Sequence, residues 1–265
     1  MNANLFAGAA EFYARYRPAY PAWMLDDVRA RTVGARGDRL VDLGCGTGEV
    51  TLPLRPYFTD VLAIDADPEM VRVAERKAAA AGATGVDWRV GRAEDLAWQE
   101  PCDLVTAGSS FHWMDRELMS GRIFDALVSG GALALLGGGP AVWSGRSEWH
   151  DVAAAVLTDW LGPRRRAGSG VYSVDKVHED FLGPARFRIE TTEYTLPYRW
   201  TPDTITGYLL STSFAGPQVL GDRQQAVERD LRERLLRLRP DGVFPEDISF
   251  FAIVGFKDRR RPRHR

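Results

Sequence analysis

Apolar residues follow two rhythms along this chain. Runs such as Leu40-Val41, Val61-Leu62-Ala63-Ile64, Leu104-Val105 and Ala132 to Leu136 are apolar at consecutive positions. Between them, apolar residues return every three or four positions. The first rhythm suits strands buried on both faces of a parallel sheet, and the second suits the helices that cross over between such strands. The pattern predicts a helix over Phe6–Arg17, stopping before Pro18, and another from Pro21 to about Arg31. A helix over Pro68–Ala81 carries Met70, Val71, Ala74 and Ala78 on one stripe and ends at Gly82, and Arg116–Val128 ends at Gly130-Gly131. Val86–Val90 alternates as a strand. Beyond the break Gly137-Gly138-Gly139-Pro140, helices are predicted over Trp149–Leu161, Tyr172–Phe181, Thr201–Leu210 and Asp222–Leu238. Long strands are predicted over Arg186–Leu196 and Ile248–Phe256. Thr201 followed by Pro202 reads as a cap with proline at the first helical position, and Val227, Leu231, Leu235 and Leu238 share one stripe. This alternation makes an α/β protein.

The first strand runs into Gly44-Cys45-Gly46-Thr47-Gly48-Glu49. Glycine at 44, 46 and 48 allows left-handed backbone and lets a ligand lie against bare main chain. The following helix is expected to turn its unpaired N–H groups toward that ligand, and Pro53 should leave it short or bent. No Gly-Lys-Ser/Thr triplet follows, so this is not a P-loop. A dinucleotide fingerprint needs a small residue at position 49, but Glu49 stands there, and its carboxylate would repel a pyrophosphate. A nucleoside without phosphates remains. The next strand ends at Asp65, where one carboxylate can accept from both ribose hydroxyls. Its other reading, a helix cap, is already filled by Asp67 and Pro68. Asp42 is an acid in an apolar setting and needs a partner.

Composition narrows the class. The chain has 265 residues, 45% of them apolar and 26% charged, enough for one or two globular domains. A net charge of −2 offers no footprint for nucleic acid. No apolar run approaches the ~20 residues of a membrane span, and Met1-Asn2-Ala3-Asn4 starts no secretory signal. Cys45 and Cys102 form neither a disulfide framework nor a metal pattern. The cytoplasm is the expected location.

The run VDLGCGTG, the strand ending in Asp65, Ala93-Glu94 and the stretch DLVTAGSSFHW resemble a class I S-adenosylmethionine-dependent methyltransferase. The opening FAGAAEFYARYRPAYP narrows the resemblance to a branch acting mostly on small molecules, which includes trans-aconitate-type enzymes. The likeness covers residues 1 to about 137. It implies a Rossmann-like, seven-stranded, mostly parallel sheet with an antiparallel last strand, a helical lid and insertions. Residues 1–37 would be the lid, 38–140 and 185–257 the core with helical additions at 201–238, 141–184 a substrate cover, and 258–265 a basic tail. The implied reaction moves the sulfonium methyl in line to an oxygen, nitrogen or carbon nucleophile of a small molecule. A second possibility is a protein of the same fold that binds S-adenosylmethionine without transferring its methyl; a nicotinamide dehydrogenase is disfavoured by Glu49.

The resemblance also assigns residues. Tyr13 and Arg17 would close over the methionine end, with the Arg17 guanidinium on its carboxylate. Asp42 would meet the ammonium, directly or through water, or hold the glycine-loop N–H groups. Gly44, Gly46 and Gly48 form the loop, Asp65, Ala66 and Met70 the ribose side, and Ala93 and Glu94 the adenine side. Arg92 stands where the family often has an aspartate, and a cation cannot accept from the adenine amine. Gly108, Ser109 and Ser110 would face the transferable methyl. His112 is either a general base or a packing residue beside Trp113. Phe111 and Trp113 either face the sulfonium or pack. Tyr16, Tyr20, Trp143, Tyr172, Tyr208 and Phe214 are pocket candidates, each equally readable as core. The basic loop at Arg164-Arg165-Arg166 is a solvated run or a mouth for an acidic substrate. The acceptor and the oligomeric state stay open.

Overall fold

A computed structural model describes residues 6–34, 36–140, 142–144, 147–163, 166–167, 170–171, 178–183 and 186–258. Seven strands form one sheet: β1 (Gly37–Leu43), β2 (Phe58–Asp65), β3 (Val86–Val90), β4 (Cys102–Gly108), β5 (Leu127–Gly138), β6 (Arg188–Trp200) and β7 (Phe244–Phe256). Their order is β3-β2-β1-β4-β5-β7-β6. The first five are parallel, and β7 lies antiparallel to both β5 and β6. This is the Rossmann-like arrangement with an inserted antiparallel last strand. β1 pairs with β2 on one side and β4 on the other, so the chain reverses direction across the sheet there. A crevice opens at the carboxyl ends of strands at such a switch point.

Alternation within the strands feeds two apolar layers. Leu40, Leu104, Ala132, Ala134 and Leu136 face one, and Val41, Leu43, Val105, Leu133 and Leu135 face the other. The helices are α1 (Ala10–Tyr16), α2 (Ala22–Thr32), α3 (Thr51–Leu54), α4 (Pro68–Ala80), α5 (Arg116–Ala126), α6 (Glu148–Leu161), α7 (Glu179–Leu182), α8 (Pro202–Leu210), α9 (Pro217–Leu220) and α10 (Gln224–Leu238). Thr201 and Thr204 form a reciprocal capping box at the start of α8. α6, α8 and α10 pack together over the first layer.

Several boundaries differ from the pattern. The first helix begins only at Ala10, and α3 has four residues before a 3-10 turn at Arg55–Tyr57, as the prolines require. β6 continues to Trp200, because its whole length pairs with β7. Leu238 is 44% exposed and leaves the stripe, since α10 ends there. Of the segment Tyr172–Phe181, only its end belongs to α7; residues 172–177, and with them Tyr172, lie outside the described residues, as do 164–165 and 259–265. Among the described residues, no helix is long and apolar enough to cross a membrane.

The N-terminal segment crosses the carboxyl edge of the sheet. α1 packs between α4 and α8, and this close approach needs Gly207, where a Cβ would stand 2.2 Å from the Tyr16 ring.

Candidate active site

Main-chain bonds build the first half of the crevice. Gly44 and Cys45 donate their N–H groups to the Ile64 carbonyl at 2.8 and 3.1 Å. The loop can fold back this way because Gly44 and Gly46 take φ of 64° and 55°. Asp65 then clasps the loop: Oδ2 accepts from Gly46 N–H and Oδ1 from Asp67 N–H, both at 2.9 Å. Its carboxylate is 6% exposed, and burial pushes its pKa up. Each oxygen still has a lone pair for a further donor.

The helix after the loop, α3, has only four residues, and the Gly46 N–H points at Asp65. Gly48 takes the positive φ expected of it, 86°, and a Cβ there would meet Leu52 at 3.2 Å and Trp88 at 3.3 Å.

Asp42 is 1% exposed and bonded inward, accepting from Thr51 Oγ1 at 2.5 Å and Thr106 Oγ1 at 2.8 Å. Each oxygen accepts one threonine hydroxyl and, like those of Asp65, keeps a lone pair, and among the described residues no loop N–H group bonds to it. Burial pushes its carboxyl up to about 6, against the two hydroxyl bonds that favour the charged form. The sequence reading missed Thr51 and Thr106. A lone hydroxyl inside the apolar strand at 106 was the one available signal.

Beyond Asp65, a narrow slot is lined by Gly44, Ile64, Ala66, Gly91, Ala93, Glu94 and Met114. Glu94 Oε1 accepts from Asp115 N–H at 3.1 Å and lies 3.5 Å from Arg92. Arg92, where an aspartate was anticipated, is thus paired with its own neighbour. The adjoining part of the cleft is walled by Phe6, Tyr13, Asp67, Met70, Gly108, Ser109, Ser110 and Trp113. Ser110 also donates to the Leu43 carbonyl at 2.6 Å, fixing the end of β4 to β1.

The crossing segment covers this cleft. The Arg17 guanidinium sits 4.9 Å from the Tyr13 ring centre and 5.1 Å from that of Tyr208, and donates to the Ser211 carbonyl at 3.2 Å. Burial pushes the Tyr13 phenol up to about 12 and raises that of Tyr20. Tyr20 shares a hydrogen bond with Ser109 Oγ at 3.0 Å and donates to the Leu136 carbonyl at 3.4 Å. Ser109 has φ 51°, left-handed without being glycine, and this corner carried no sequence signal.

The remaining candidates divide. The His112 ring centre lies 4.6 Å from that of Trp113 and 6.3 Å from that of His178. Burial, with His178, Arg116 and Arg17 nearby, lowers its pKa to about 4. Trp113 lines the cleft. Phe111, 1% exposed, belongs to the second apolar layer and is corrected to core. Tyr16 turns away from the cleft, stacking on Phe12 at 6.3 Å and filling the space over Gly207, so it too is corrected to packing. Tyr208 is 5% exposed with its hydroxyl on the Pro140 carbonyl at 3.0 Å, and its ring lies against the Arg17 guanidinium. Trp143 lies against Phe214, ring centres 6.0 Å apart.

A glycine loop clasped by the next strand's carboxylate, at a topological switch point, defines a nucleoside-binding α/β enzyme. The family model for a methyltransferase domain matches residues 40–131. An uncharacterized methyltransferase of Mycobacterium tuberculosis is 30% identical over 196 residues, 72% of this chain and 72% of that protein. A probable S-adenosylmethionine-dependent methyltransferase of Saccharomyces cerevisiae is 30% identical over 128 residues, 46% of this chain and 43% of that one. A trans-aconitate 2-methyltransferase of Rhizobium rhizogenes is 36% identical over 114 residues, 41% and 42% of the two chains. The fold matches that of the YcgJ protein of Bacillus subtilis with a TM-score of 0.56 at 18% identity, covering 89% of this chain and 99% of that one. The chain belongs to the class I S-adenosylmethionine-dependent methyltransferases.

Proposed function

We propose that this enzyme moves the methyl of S-adenosylmethionine to an oxygen, nitrogen or carbon nucleophile of a small molecule. The observation that carries the reading is the Asp65 clasp: a carboxylate oriented by two backbone N–H groups, next to bare glycine backbone. The residues present fit the cofactor. Asp65 accepts from the ribose hydroxyls, with Ala66 and Met70 beside them, while Gly44 and Gly46 leave room for the nucleoside. Ala93 and Glu94 flank the adenine. The cofactor supplies a methyl on positively charged sulfur, and the cleft answers with carboxylates. Arg17, held between Tyr13 and Tyr208, takes the amino-acid carboxylate. Gly108, Ser109 and Ser110, braced by Tyr20, form the edge toward the acceptor, and Trp113 closes that side. The described residues of α6 and α8 are the candidates for covering the acceptor.

Placing the nucleophile in line, within ~3–3.5 Å of the methyl, supplies most of what this displacement requires. A histidine held near pH 4 is a poor proton acceptor, which supports alignment over base catalysis. The net charge of −2 supports a small-molecule acceptor over nucleic acid, and two free, buried cysteines support a cytoplasmic location.

Purified protein incubated with S-adenosylmethionine and a panel of carboxylic acids, phenols and amines is expected to release S-adenosylhomocysteine in step with one methylated product, read by mass spectrometry. Tight cofactor binding without product across all acceptor classes overturns the transferase reading.

A further inference from the structure

Glu49 occupies the position where a dinucleotide-binding turn needs a small residue, and its carboxylate belongs to the wall of the cleft. Oε1 is fully engaged, accepting from Thr47 Oγ1 at 2.5 Å and Lys77 Nζ at 2.7 Å. Oε2 carries no hydrogen bond from the described residues. It lies 3.8 Å from the point where a Cβ on Gly46 would stand, as does Tyr13 Cε1, so it sits over the glycine loop beneath the crossing segment. The side chain is 16% exposed.

This end of the cleft is walled by Tyr13, Tyr20, Asp42, Glu49, Val50 and Gly108 around the loop, with two carboxylates and no basic side chain among its lining residues. Asp42 has both oxygens on threonine hydroxyls. Glu49 Oε2 is therefore the lining carboxylate oxygen that accepts no hydrogen bond from the described residues, whereas each Asp42 oxygen already accepts one. A largely desolvated carboxylate oxygen is best satisfied by a cationic N–H group.

Resting on the methyltransferase reading, we propose that Glu49 Oε2 receives the α-ammonium of the cofactor's amino-acid end, with Thr47 and Lys77 holding the carboxylate in place. Arg17 and Glu49 then read the two charges of the amino acid from opposite sides. The enzyme thereby selects the complete cofactor over nucleosides that lack the charged end.

The competing role is structural: Glu49 ties the loop to α4 through Lys77. The two separate by calorimetry with S-adenosylhomocysteine, which carries the amino acid, and 5′-methylthioadenosine, which does not. Glu49→Gln is expected to weaken S-adenosylhomocysteine binding by about 10- to 30-fold, the scale of one charge-assisted hydrogen bond, while 5′-methylthioadenosine stays within about twofold. Lys77→Met, which removes one support of the carboxylate but keeps its charge, is expected to lower S-adenosylhomocysteine affinity less than Glu49→Gln does and to leave 5′-methylthioadenosine within about twofold. Glu49→Asp serves should the glutamine variant fold poorly; it retracts the charge by one methylene and should again lower only S-adenosylhomocysteine binding. Equal losses for both ligands, or none, overturn the assignment while leaving the cofactor reading intact. If the unaltered protein binds neither nucleoside, both fall together.

Discussion

The two halves of the crevice are built differently. On the β1–β2 side, the clasp joins Gly46 to Asp65, 19 positions apart, and every bond in it ends on main chain. On the side covered by the crossing segment, side chains come from far along the sequence. Arg17 reaches Ser211 across 194 positions, Tyr20 reaches Ser109 across 89, and Tyr208 reaches Pro140 across 68. The first half depends on one carboxylate and a few glycines. The second depends on side chains brought together from distant parts of the chain.

The strongest way to break this contrast is Asp65→Ala. It removes the ribose acceptor and leaves the N–H groups of Gly46 and Asp67 buried without partners, each costing about 1–3 kcal/mol. Affinity for S-adenosylhomocysteine is expected to fall by about 100-fold or more in calorimetry. Thermal melting should also drop. Native affinity in the alanine variant would move recognition to the acceptor half.

The same contrast explains what was legible in the sequence. Gly44, Gly46 and Asp65 could be placed because turn, strand end and carboxylate follow from local pattern, and the capping box at Thr201 likewise. The strands β1, β2, β4 and β5 were visible as apolar runs, and β3 and β6 by alternation. Tyr16 and Phe111 were misplaced because a residue's face depends on what packs against it: Gly207 for the one and the second apolar layer for the other. Asp42 was given a ligand because its partner Thr106 lies 64 positions away on a neighbouring strand. Nor does sequence show a serine forced to φ 51°.

His112 sharpens the acceptor side. A general base typically contributes about 100- to 10,000-fold, whereas a packing residue contributes far less. With the imidazole lowered to about 4 and packed at a tilt against Trp113, His112→Asn is expected to keep kcat within about tenfold in steady-state kinetics. The pH–rate profile above pH 5 should keep its shape. A thousand-fold loss would make the imidazole a proton acceptor and give the acceptor half a chemical step of its own.

The smallest expected effect on ligand binding belongs to Asp42→Asn, which tests whether the buried acid serves the cofactor or only the fold. Its carboxyl rises from 3.8 to about 6 on folding, so the native state binds a proton more tightly than the unfolded chain. Stability therefore falls as pH rises from about 4 to about 6, and the full cost is present above that window. Asparagine carries no charge and can still accept from one threonine hydroxyl and donate to the other. At pH 7 the variant is expected to be more stable by about 1–3 kcal/mol, with the dependence between pH 4 and 6 flattened in urea titrations. Below pH 4 the two proteins should converge. Affinity for S-adenosylhomocysteine should stay within about threefold, because one ordinary hydrogen bond is the most that Asp42 could withdraw from a ligand while both its oxygens face threonines. A large loss of affinity without the gain in stability would return Asp42 to the ligand.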